Sequence, residues 1–317
     1  QKLIKDEIEK TLAQDKPQNL YEPLKYLLNA GGKRLRPILT IAAAKLVGGS
    51  VTDALKPAIA IELLHNFSLI HDDIMDNAPL RRNLQTIHTK WNNSIAILAG
   101  DLLLGISFRK ATEDIDKSIS QQILKALIDA LNEICEGQGY DLEFETNRNV
   151  TLDDYLMMID KKTAKLIEKA MLIGGYTGMA DANELDLLKQ IGNSIGMGFQ
   201  IQDDLLDLSS PNPKFGKVQG QDLKEGKKTY LFFIAKMQIT DKPSIELLNK
   251  FLANKGLGES DISNMIEIFE KNGVFDIAKN MIDEYYNKTI NLLYKFNNSP
   301  DREFLEQLIC NIFERDY

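Results

Sequence analysis

Two short acidic motifs, DDIMD and DDLLD, contain the side chains of this sequence that are best suited to catalysis. On a helix, side chains four residues apart lie on one face, so Asp72 converges with Asp76 to within about 6 Å, and Asp203 converges with Asp207. Like charges this close destabilise a helix unless a cation compensates them, and hard ions such as Mg²⁺ prefer oxygen ligands. The two motifs therefore predict magnesium ligands.

A solvated acidic helix face is the simpler explanation of a DDxxD motif that occurs alone. Here each of two motifs follows an apolar run, which indicates the end of a buried helix that opens on a cavity. The spacing also excludes an EF-hand calcium loop, because the D-x-D-x-D-G pattern is absent. Metal binding is the interpretation that explains both motifs together.

Cationic side chains occur where a polyphosphate ligand would need them. The GGKRLRP segment places cations after two glycines, where the backbone can approach a ligand closely, and an arginine pair follows the first motif. Arginine binds phosphate through two parallel hydrogen bonds, whereas lysine acts as a point charge. One histidine lies two helical turns before the first motif, on the same face. The candidates are Lys33, Arg34, Arg36, His65, Arg81, Arg82, Lys161, Lys162, Lys217, Lys227 and Lys228.

Composition argues against several functional classes. The formal net charge of -8 opposes non-specific nucleic-acid binding, which needs a basic surface, so no nucleic-acid partner is expected. The sequence has no run of about 18 apolar residues, so we expect neither a membrane span nor a stable membrane anchor. Two cysteines without metal-ligand spacing are typical of a reduced, cytoplasmic protein. The chain starts at Gln1, so the native N-terminus is left open.

Helical periodicity predicts an all-α fold with a single domain over residues 1–317. Helices are predicted from about 21 to 30, from Pro37 through the following alanines, and from a cap at Thr52 or Asp53 to the first motif, where Asn77-Ala78-Pro79 ends the helix. Others are predicted at roughly 92–112, 118–146, 152–177 and 184–208. A loop over 209–226 and three helical stretches follow, with breaks near 254–259 and 297–300.

Taken together, the motifs resemble those of the isoprenyl diphosphate synthases, or polyprenyl synthetases. The resemblance runs from about Tyr21 to Thr229 and includes GGKRLRP, HNFSLIHDDIMD, the arginine pair, GD, EGQ, KT, FQIQDDLLD and FGKVQGQDL followed by GKKT. It implies the all-α isoprenoid-synthase-type bundle around a deep central cavity, usually a homodimer. The implied activity is that of a magnesium-dependent trans-prenyltransferase.

The resemblance also implies roles for individual residues. Asp72, Asp76 and Asp203 would bind magnesium, three ions per active site, with Asp207 and Asp222 in support. Isopentenyl diphosphate would bind to Lys33, Arg36, His65 and Arg82, and the allylic diphosphate to Arg81, Lys162, Lys217 and Lys227, with Arg34 left between a phosphate-binding and a structural role. The catalytic residues near the reacting carbon would be Lys162, Thr163 and Gln200.

The implied reaction joins isopentenyl diphosphate head to tail, 1′-4, to dimethylallyl, geranyl or farnesyl diphosphate. Magnesium would stabilise the departing diphosphate, and the basic residues would hold the attacking alkene in position. The departing diphosphate would take up the proton, so no side-chain base is required. An apolar cavity would keep water away from the allylic cation.

By the same resemblance, product length depends on the depth of the cavity below the first motif. Phe67 lies five residues before Asp72, about 7.5 Å along the helix axis, and the neighbouring Ser68 is small. A single aromatic residue there resembles archaeal-type geranylgeranyl enzymes, so geranylgeranyl diphosphate is the predicted product and farnesyl diphosphate the second candidate. Simple core packing is the alternative for Phe67.

The sequence departs from the family pattern just after the arginine pair. Asn83 stands where the family commonly has glycine, and Gln85 where it commonly has proline. Asparagine tolerates a left-handed backbone better than most residues, so we expect the turn to be kept.

Two other functions stay open. A class I terpene cyclase would share a helical cavity and one acidic motif, but it would lack the isopentenyl diphosphate residues. An inactive regulatory subunit would be expected to have lost one of the acidic motifs, and both are intact.

Overall fold

The computed structural model describes residues 1–209 and 219–314, and most of them are α-helical. The all-α prediction is therefore confirmed. Of the described residues, one compact unit takes Gln1–Asn132, Leu166–Gly192 and Tyr294–Leu305, and a second unit takes the remainder. Each unit is assembled from segments that are distant in sequence. The single domain over residues 1–317 stays a prediction.

The first half of the chain contains helices and one small hairpin. In chain order the elements are α1 (Lys2–Thr11), α2 (Gln18–Asn29), α3 (Leu35–Leu46), α4 (Val51–Met75), β1 (Leu80–Arg81), β2 (Leu84–Gln85), α5 (Ile87–Lys90), α6 (Asn93–Ala111) and α7 (Lys117–Thr146). The sequence analysis did not predict α1 or the hairpin.

The long helix α4 carries the first acidic motif. Its N-cap is Ser50, whose hydroxyl accepts a hydrogen bond from the Asp53 amide at 3.1 Å. The predicted cap at Thr52 or Asp53 is therefore wrong by two or three residues. The helix ends at the predicted break, where Asn77 adopts a φ of 50°. Helix α4 packs against α3 and α6, and the buried Ser107 hydroxyl donates to the Ala60 carbonyl at 2.7 Å. The motif thus sits on the end of a core helix.

The hairpin follows α4 directly. Leu80 pairs with Gln85 and Arg81 with Leu84, and the two turn residues Arg82 and Asn83 have φ values of 53° and 62°. Two consecutive positive φ values are typical of a type I′ turn, whose twist matches that of the strands. Asn83 in place of glycine therefore keeps the turn, as expected.

The second half of the chain continues with helices and one π-helical turn. In chain order these are α8 (Leu152–Ile159), the π turn (Asp160–Ala164), α9 (Lys165–Thr177), α10 (Ala182–Ser209), α11 (Gln221–Glu225), α12 (Tyr230–Gln238), α13 (Lys242–Asn254), α14 (Glu259–Lys271), α15 (Val274–Leu293) and α16 (Pro300–Phe313). The predicted helix over 152–177 is thus interrupted by the π turn. The described end of the predicted loop, from residue 219, contains the short helix α11.

The C-terminal third has more helices than the three stretches predicted. The breaks near 254–259 and 297–300 are present, but α12 and α13 are separate because Asp241 caps α13 by accepting from the Ser244 amide at 3.0 Å. Helices α14 and α15 are separate because Gly273, with a φ of 67°, turns the chain between them. Helix α12 is the buried centre of this unit, and its Phe232 ring packs against Phe251 at 5.1 Å.

Among the described residues, no helix combines the length and the apolar character that crossing a membrane requires.

Candidate active site

The first acidic motif separates its three aspartates by burial. Asp76 is exposed and Asp72 half-buried, whereas Asp73 is only 3% exposed. The Asp73 carboxylate accepts a hydrogen bond from Arg81 Nε at 2.6 Å. Burial raises the pKa of Asp73, and the charge of Arg81 opposes that rise. Asp73 is therefore a structural residue that attaches the hairpin to α4, and the outer aspartates are left as the candidate ligands.

Arg81, a predicted allylic diphosphate residue, binds Asp73 through one nitrogen only. Its Nε makes the ion pair, and its two Nη atoms make no hydrogen bond to any residue that the structure describes. A guanidinium can bind phosphate through two nitrogens while a third is anchored. The geometry leaves Arg81 able to take the predicted role.

A basic cluster surrounds His65 on α4. The pKa of the His65 imidazole is well below its usual value, first because of burial and then because of the charges of Arg36, Arg82, Arg81 and Arg34. The ring is consequently neutral near pH 7 and can donate one hydrogen bond without adding charge. Three of the predicted isopentenyl diphosphate residues are therefore close enough to interact electrostatically.

Glycine lets the arginine pair approach the GGKRLRP segment. The Arg82 guanidinium donates to the Gly31 carbonyl, and a Cβ on Gly32 would lie 2.8 Å from Arg82 Nη1. Any larger residue at position 32 would displace that side chain. Lys33 follows directly and is exposed, so it lies beside the same cluster in the chain.

Arg34 makes contacts inside the protein, which favour the structural alternative that the sequence left open. Its Nη1 donates to Glu62 Oε1 at 2.6 Å, with the two side chains 11% and 3% exposed, and its Nη2 donates to the Leu28 carbonyl. The Asn66 amide donates to the same Glu62 oxygen at 3.0 Å. Sequence reasoning missed Glu62 and Asn66, although helical spacing places both on one face of α4, one turn apart.

Phe67 and Ser68, the predicted chain-length residues, are both buried. The Phe67 ring meets His71 edge to face at 4.7 Å, and a Cβ on Gly100 of α6 would lie 2.4 Å from His71 Nε2. The Ser68 hydroxyl donates to the His65 carbonyl of its own helix at 2.8 Å. Their influence on product length stays a prediction.

In the second unit, the middle aspartate of the second motif is again the buried one. Asp204 is 4% exposed and accepts hydrogen bonds from the Tyr155 hydroxyl, from Gln200 Nε2 at 3.0 Å and from the Tyr230 amide at 3.2 Å. Burial raises its pKa to about 7, although these three donors oppose the rise. Asp203 and Asp207 are half-buried.

Asp207 has a structural contact as well as a predicted metal role. Its Oδ2 accepts from the Asp222 amide at 3.1 Å, and its carbonyl accepts from the Gly220 amide at 2.8 Å. A carboxylate at a helix start satisfies an otherwise unpaired amide, so Asp207 fixes the start of α11. Asp222 is placed next to it by the same bond.

A cavity of about 140 Å³ in the second unit brings together the predicted catalytic residues. It is lined by Asp141, Phe144, Glu145, Tyr155, Met158, Ile159, Lys162, Thr163, Gln200, Asp204, Asp222, Gly226, Lys227, Lys228 and Thr229. Lys162, Thr163, Gln200 and Lys227 were predicted from the sequence. Lys217 lies outside the described residues.

The hydrogen bonds at this cavity form a chain in which Thr163 donates to Gln200 and Gln200 donates to Asp204. The Thr163 hydroxyl donates to Gln200 Oε1 at 2.8 Å, and Gln200 Nε2 donates to Asp204 at 3.0 Å. Since the Thr163 proton points to Gln200, the oxygen lone pairs can face the cavity that Thr163 lines. Lys162 Nζ donates to Asp141, which sets this ammonium at the same cavity.

Sequence reasoning missed Asp141, Glu145 and Tyr155. Asp141 and Glu145 follow Gln138 of the EGQ segment by three and seven residues, so helical spacing from that motif could have found them. No sequence signal marks Tyr155. Gln138 is 5% exposed, and neither of its amide atoms has a hydrogen-bond partner among the residues that the structure describes.

The carboxylates fit magnesium by type and by placement. Each motif has two outer aspartates near a helix end. Asp76 is exposed and the other three are half-buried, and their oxygen atoms suit a hard cation. Within residues 1–209 and 219–314, no three Asp, Glu, His or Cys side chains are grouped closely enough to enclose an ion on their own. Magnesium usually keeps water and substrate phosphate as its remaining ligands, so one or two carboxylates per ion suffice.

Known proteins resemble this chain over almost its whole length. The polyprenyl synthetase family profile matches residues 17–269. A geranylgeranyl diphosphate synthase of Methanosarcina mazei is 36% identical over 315 residues, covering 98% of this chain and 94% of that protein. A short chain isoprenyl diphosphate synthase of Methanocaldococcus jannaschii is 42% identical over 256 residues, covering 81% and 78%.

Solved structures resemble it equally well. The crystal structure of geranylgeranyl pyrophosphate synthetase from Pyrococcus horikoshii superimposes with a TM-score of 0.92 at 36% identity, covering 99% of this chain and 96% of that one. A geranylgeranyl pyrophosphate synthetase from Geoglobus acetivorans gives a TM-score of 0.89 at 35% identity, covering 99% and 98%.

The buried Asp73 should matter for stability more than its exposed neighbour Asp76. Replacing Asp73 with Asn removes the carboxylate partner of Arg81, so we expect Asp73→Asn to lower the free energy of unfolding in urea by about 1–3 kcal/mol. Asp76→Asn is the matched control and should change it by less than about 0.5 kcal/mol, because that side chain is exposed. A larger loss in Asp76→Asn than in Asp73→Asn would contradict the assignment.

His65 should make stability depend on pH. The folded protein keeps the ring neutral, whereas the unfolded chain protonates it below about pH 6.5, so unfolding takes up a proton and stability falls as the pH decreases, by about 1.4 kcal/mol per unit. His65→Gln has no such titration, and between pH 6.5 and 5.5 its unfolding free energy should fall less than that of the unaltered protein. Equal pH dependence in urea unfolding curves would show that His65 retains its ordinary pKa.

Proposed function

The chain belongs to the polyprenyl synthetase family, and from that premise we propose that it condenses isopentenyl diphosphate with an allylic diphosphate to make geranylgeranyl diphosphate. The observation that carries the proposal is the cavity at which Lys162, Thr163 and Gln200 meet the second acidic motif. The relatives named geranylgeranyl diphosphate synthase support the product. Farnesyl diphosphate is the second candidate.

The outer aspartates Asp72, Asp76 and Asp203 are proposed to hold magnesium ions, with Asp207 in support. When bound, magnesium neutralises the allylic diphosphate and makes it a better leaving group. The Arg81 Nη atoms, Lys162 and Lys227 would bind the same diphosphate, and Lys217 is proposed with them by resemblance. The buried aspartates Asp73 and Asp204 keep these side chains in place and do not themselves bind the ions.

Thr163 and Gln200 are proposed to stabilise the positive charge that develops on the allylic carbon. Asp204 accepts a hydrogen bond from the Gln200 amide and so orients it, and the Gln200 oxygen accepts a hydrogen bond from the Thr163 hydroxyl. This leaves the lone pairs of Thr163 Oγ1 free to face the cavity that Thr163 lines, where a fixed oxygen dipole would cost no reorganisation during the reaction. The apolar Phe144, Met158 and Ile159 of the cavity wall would keep water away from the cation.

Isopentenyl diphosphate is proposed to bind the basic cluster of Lys33, Arg36, His65 and Arg82. The neutral His65 ring would donate a hydrogen bond to a phosphate oxygen, while the arginines supply the charge. Binding there would fix the direction from which the alkene attacks, which is a positioning effect. No side-chain base is needed, because the released diphosphate can take up the proton.

We further propose that the protein acts in the cytoplasm as a homodimer without a membrane anchor. Neither cysteine forms a disulfide, which suits a reducing compartment. On helix α6 the adjacent apolar side chains of Ile97 and Leu98 are 45% and 51% exposed. A second copy of the chain could cover this surface.

Labelled isopentenyl diphosphate tests the function directly. With dimethylallyl, geranyl and farnesyl diphosphate as parallel primers and Mg²⁺ present, we expect a C20 prenyl diphosphate, resolved by chain length after dephosphorylation. Products only beyond twenty-five carbons would contradict the short-chain assignment. Diphosphate release without isopentenyl diphosphate would indicate a terpene cyclase, and no magnesium-dependent turnover would indicate a regulatory subunit.

Phe67 should limit the length of the product. Phe67→Ala removes a buried ring, so the mean product should become longer, whereas Ser68→Phe adds an aromatic ring at the next position and should shorten it towards farnesyl diphosphate. Product length is read by the same chromatographic assay, with circular dichroism to confirm that each variant folds. An unchanged distribution in Phe67→Ala would make Phe67 a simple core residue.

A further inference from the structure

The π turn lies between two glycines of the second unit that belong to different helices. A Cβ on Gly137 of α7 would lie 2.4 Å from the Lys162 amide nitrogen, and one on Gly196 of α10 would lie 2.4 Å from Ala164 Cα. Such approaches fall below 3.0 Å, a separation that real Cβ atoms essentially never undercut. Neither glycine has a positive φ, so the close approach of backbones, not a special turn, requires glycine at both positions.

Glycine and π-helical backbone are both unfavourable inside helices. Glycine in a helix interior is less favourable than alanine by about 1 kcal/mol, and π turns are rare and frequently occur at functional sites. Here both features occur together, because two helix-interior glycines face the π turn. The same turn carries Lys162 and Thr163. That coincidence indicates that the shape of the turn serves the cavity.

A stripe on α10 holds the same turn from one side. Asn193 Nδ2 donates to Asp160 Oδ1 at 2.5 Å, Gly196 meets Ala164, and Gln200 accepts from Thr163 at 2.8 Å. The α10 residues are spaced by three and four, so they lie on one face of that helix. Four positions later the same face reaches the buried Asp204, to which Gln200 donates.

We propose that Gly137 and Gly196 are positioning residues for the allylic diphosphate subsite. Because neither glycine has a Cβ, the backbone of the π turn can pack directly against α7 and α10. This packing holds the turn in the shape that directs two consecutive side chains, Lys162 and Thr163, to one cavity. In a regular helix, consecutive side chains diverge by about 100°. The inference rests on the proposed function, because it assumes that this cavity binds the allylic substrate.

An alanine at either position must move the turn. To bring the Cβ contact from 2.4 Å to at least 3.0 Å, the facing backbone has to shift by several tenths of an ångström. The nearest atoms, the Lys162 amide nitrogen and Ala164 Cα, belong to the backbone, which cannot rotate away as a flexible side chain would. A displacement of about 1 Å in a catalytic group can lower a rate by roughly a hundredfold.

The experiment compares Gly137→Ala and Gly196→Ala with Gly139→Ala, a matched control on α7 whose Cβ would meet nothing within 4 Å. With Mg²⁺ and both substrates, the first two variants should show an allylic KM raised, or a kcat lowered, by at least about tenfold, with the isopentenyl diphosphate KM within about twofold. Gly139→Ala should match the unaltered protein. Equal rises in both KM values, unchanged kinetics, or the same defect in Gly139→Ala would overturn the proposal.

Asn193→Ala gives a test without added bulk. It removes the bond to Asp160 and should raise the allylic KM selectively, by a smaller factor of about threefold to tenfold, even if the alanine variants of the two glycines fail to fold by circular dichroism. If both glycine variants are unfolded and the allylic KM of Asn193→Ala is unchanged, the positioning role is rejected.

Calorimetry separates this inference from the proposed function. Dimethylallyl thiodiphosphate with Mg²⁺ serves as an unreactive probe of the subsite. The unaltered protein should bind this probe, and Gly137→Ala should bind it about tenfold more weakly while Gly139→Ala binds it normally. That result would support the positioning role even if isopentenyl diphosphate were not consumed. Absence of binding by the unaltered protein would overturn both.

Discussion

Two neighbouring carboxylates on a helix cannot face the same side, because successive side chains are turned by about 100° around the axis. In each DDxxD motif the first and last aspartates share a face, and the middle one must point elsewhere. In both motifs it points into the protein, since Asp73 and Asp204 are 3% and 4% exposed. A buried carboxylate is unfavourable unless partners satisfy it, so the surrounding structure has to supply them.

The two motifs meet this requirement with different partners. Asp73 takes the guanidinium of Arg81, and the ion pair attaches the hairpin to the end of α4. Asp204 takes three neutral donors, from Tyr155, Gln200 and Tyr230, which connect α10 to α8 and α12. In both cases the structural aspartate orders a residue that the proposed reaction uses: Arg81 in one unit and Gln200, with Thr163, in the other. The outer aspartates remain at the helix ends, where metal binding is proposed.

The sequence predicted most of the helices and the candidate residues of the site because both follow from short-range patterns. The i, i+4 spacing of the aspartates and the break after Asp76 are local features, and α4 and α10 end as the motifs indicated. The hairpin was missed because its strands have two residues each, too few for a visible alternation. The cap at Ser50 was missed because several capping residues are adjacent there, and only the backbone geometry selects one of them.

Other features depend on contacts between segments far apart in the chain. The burial of Arg34 against Glu62, the bond from Tyr155 to Asp204 and the approach of Gly137 to Lys162 have no local signature. For the same reason the π turn within residues 152–177 was predicted as ordinary helix, since its close approach to Gly137 of α7 and Gly196 of α10 has no local signature.

In the proposed active site the outer aspartates bind the metal ions while the middle ones support the fold. Crystals grown with Mn²⁺ in place of Mg²⁺ and with dimethylallyl thiodiphosphate would locate the ions by anomalous scattering. We expect manganese peaks at roughly 2.0–2.3 Å, by analogy with magnesium, from oxygens of Asp72, Asp76 and Asp203, and none within coordinating distance of Asp73 or Asp204. A peak coordinated by Asp73 or Asp204, or none at the outer aspartates, would contradict the account.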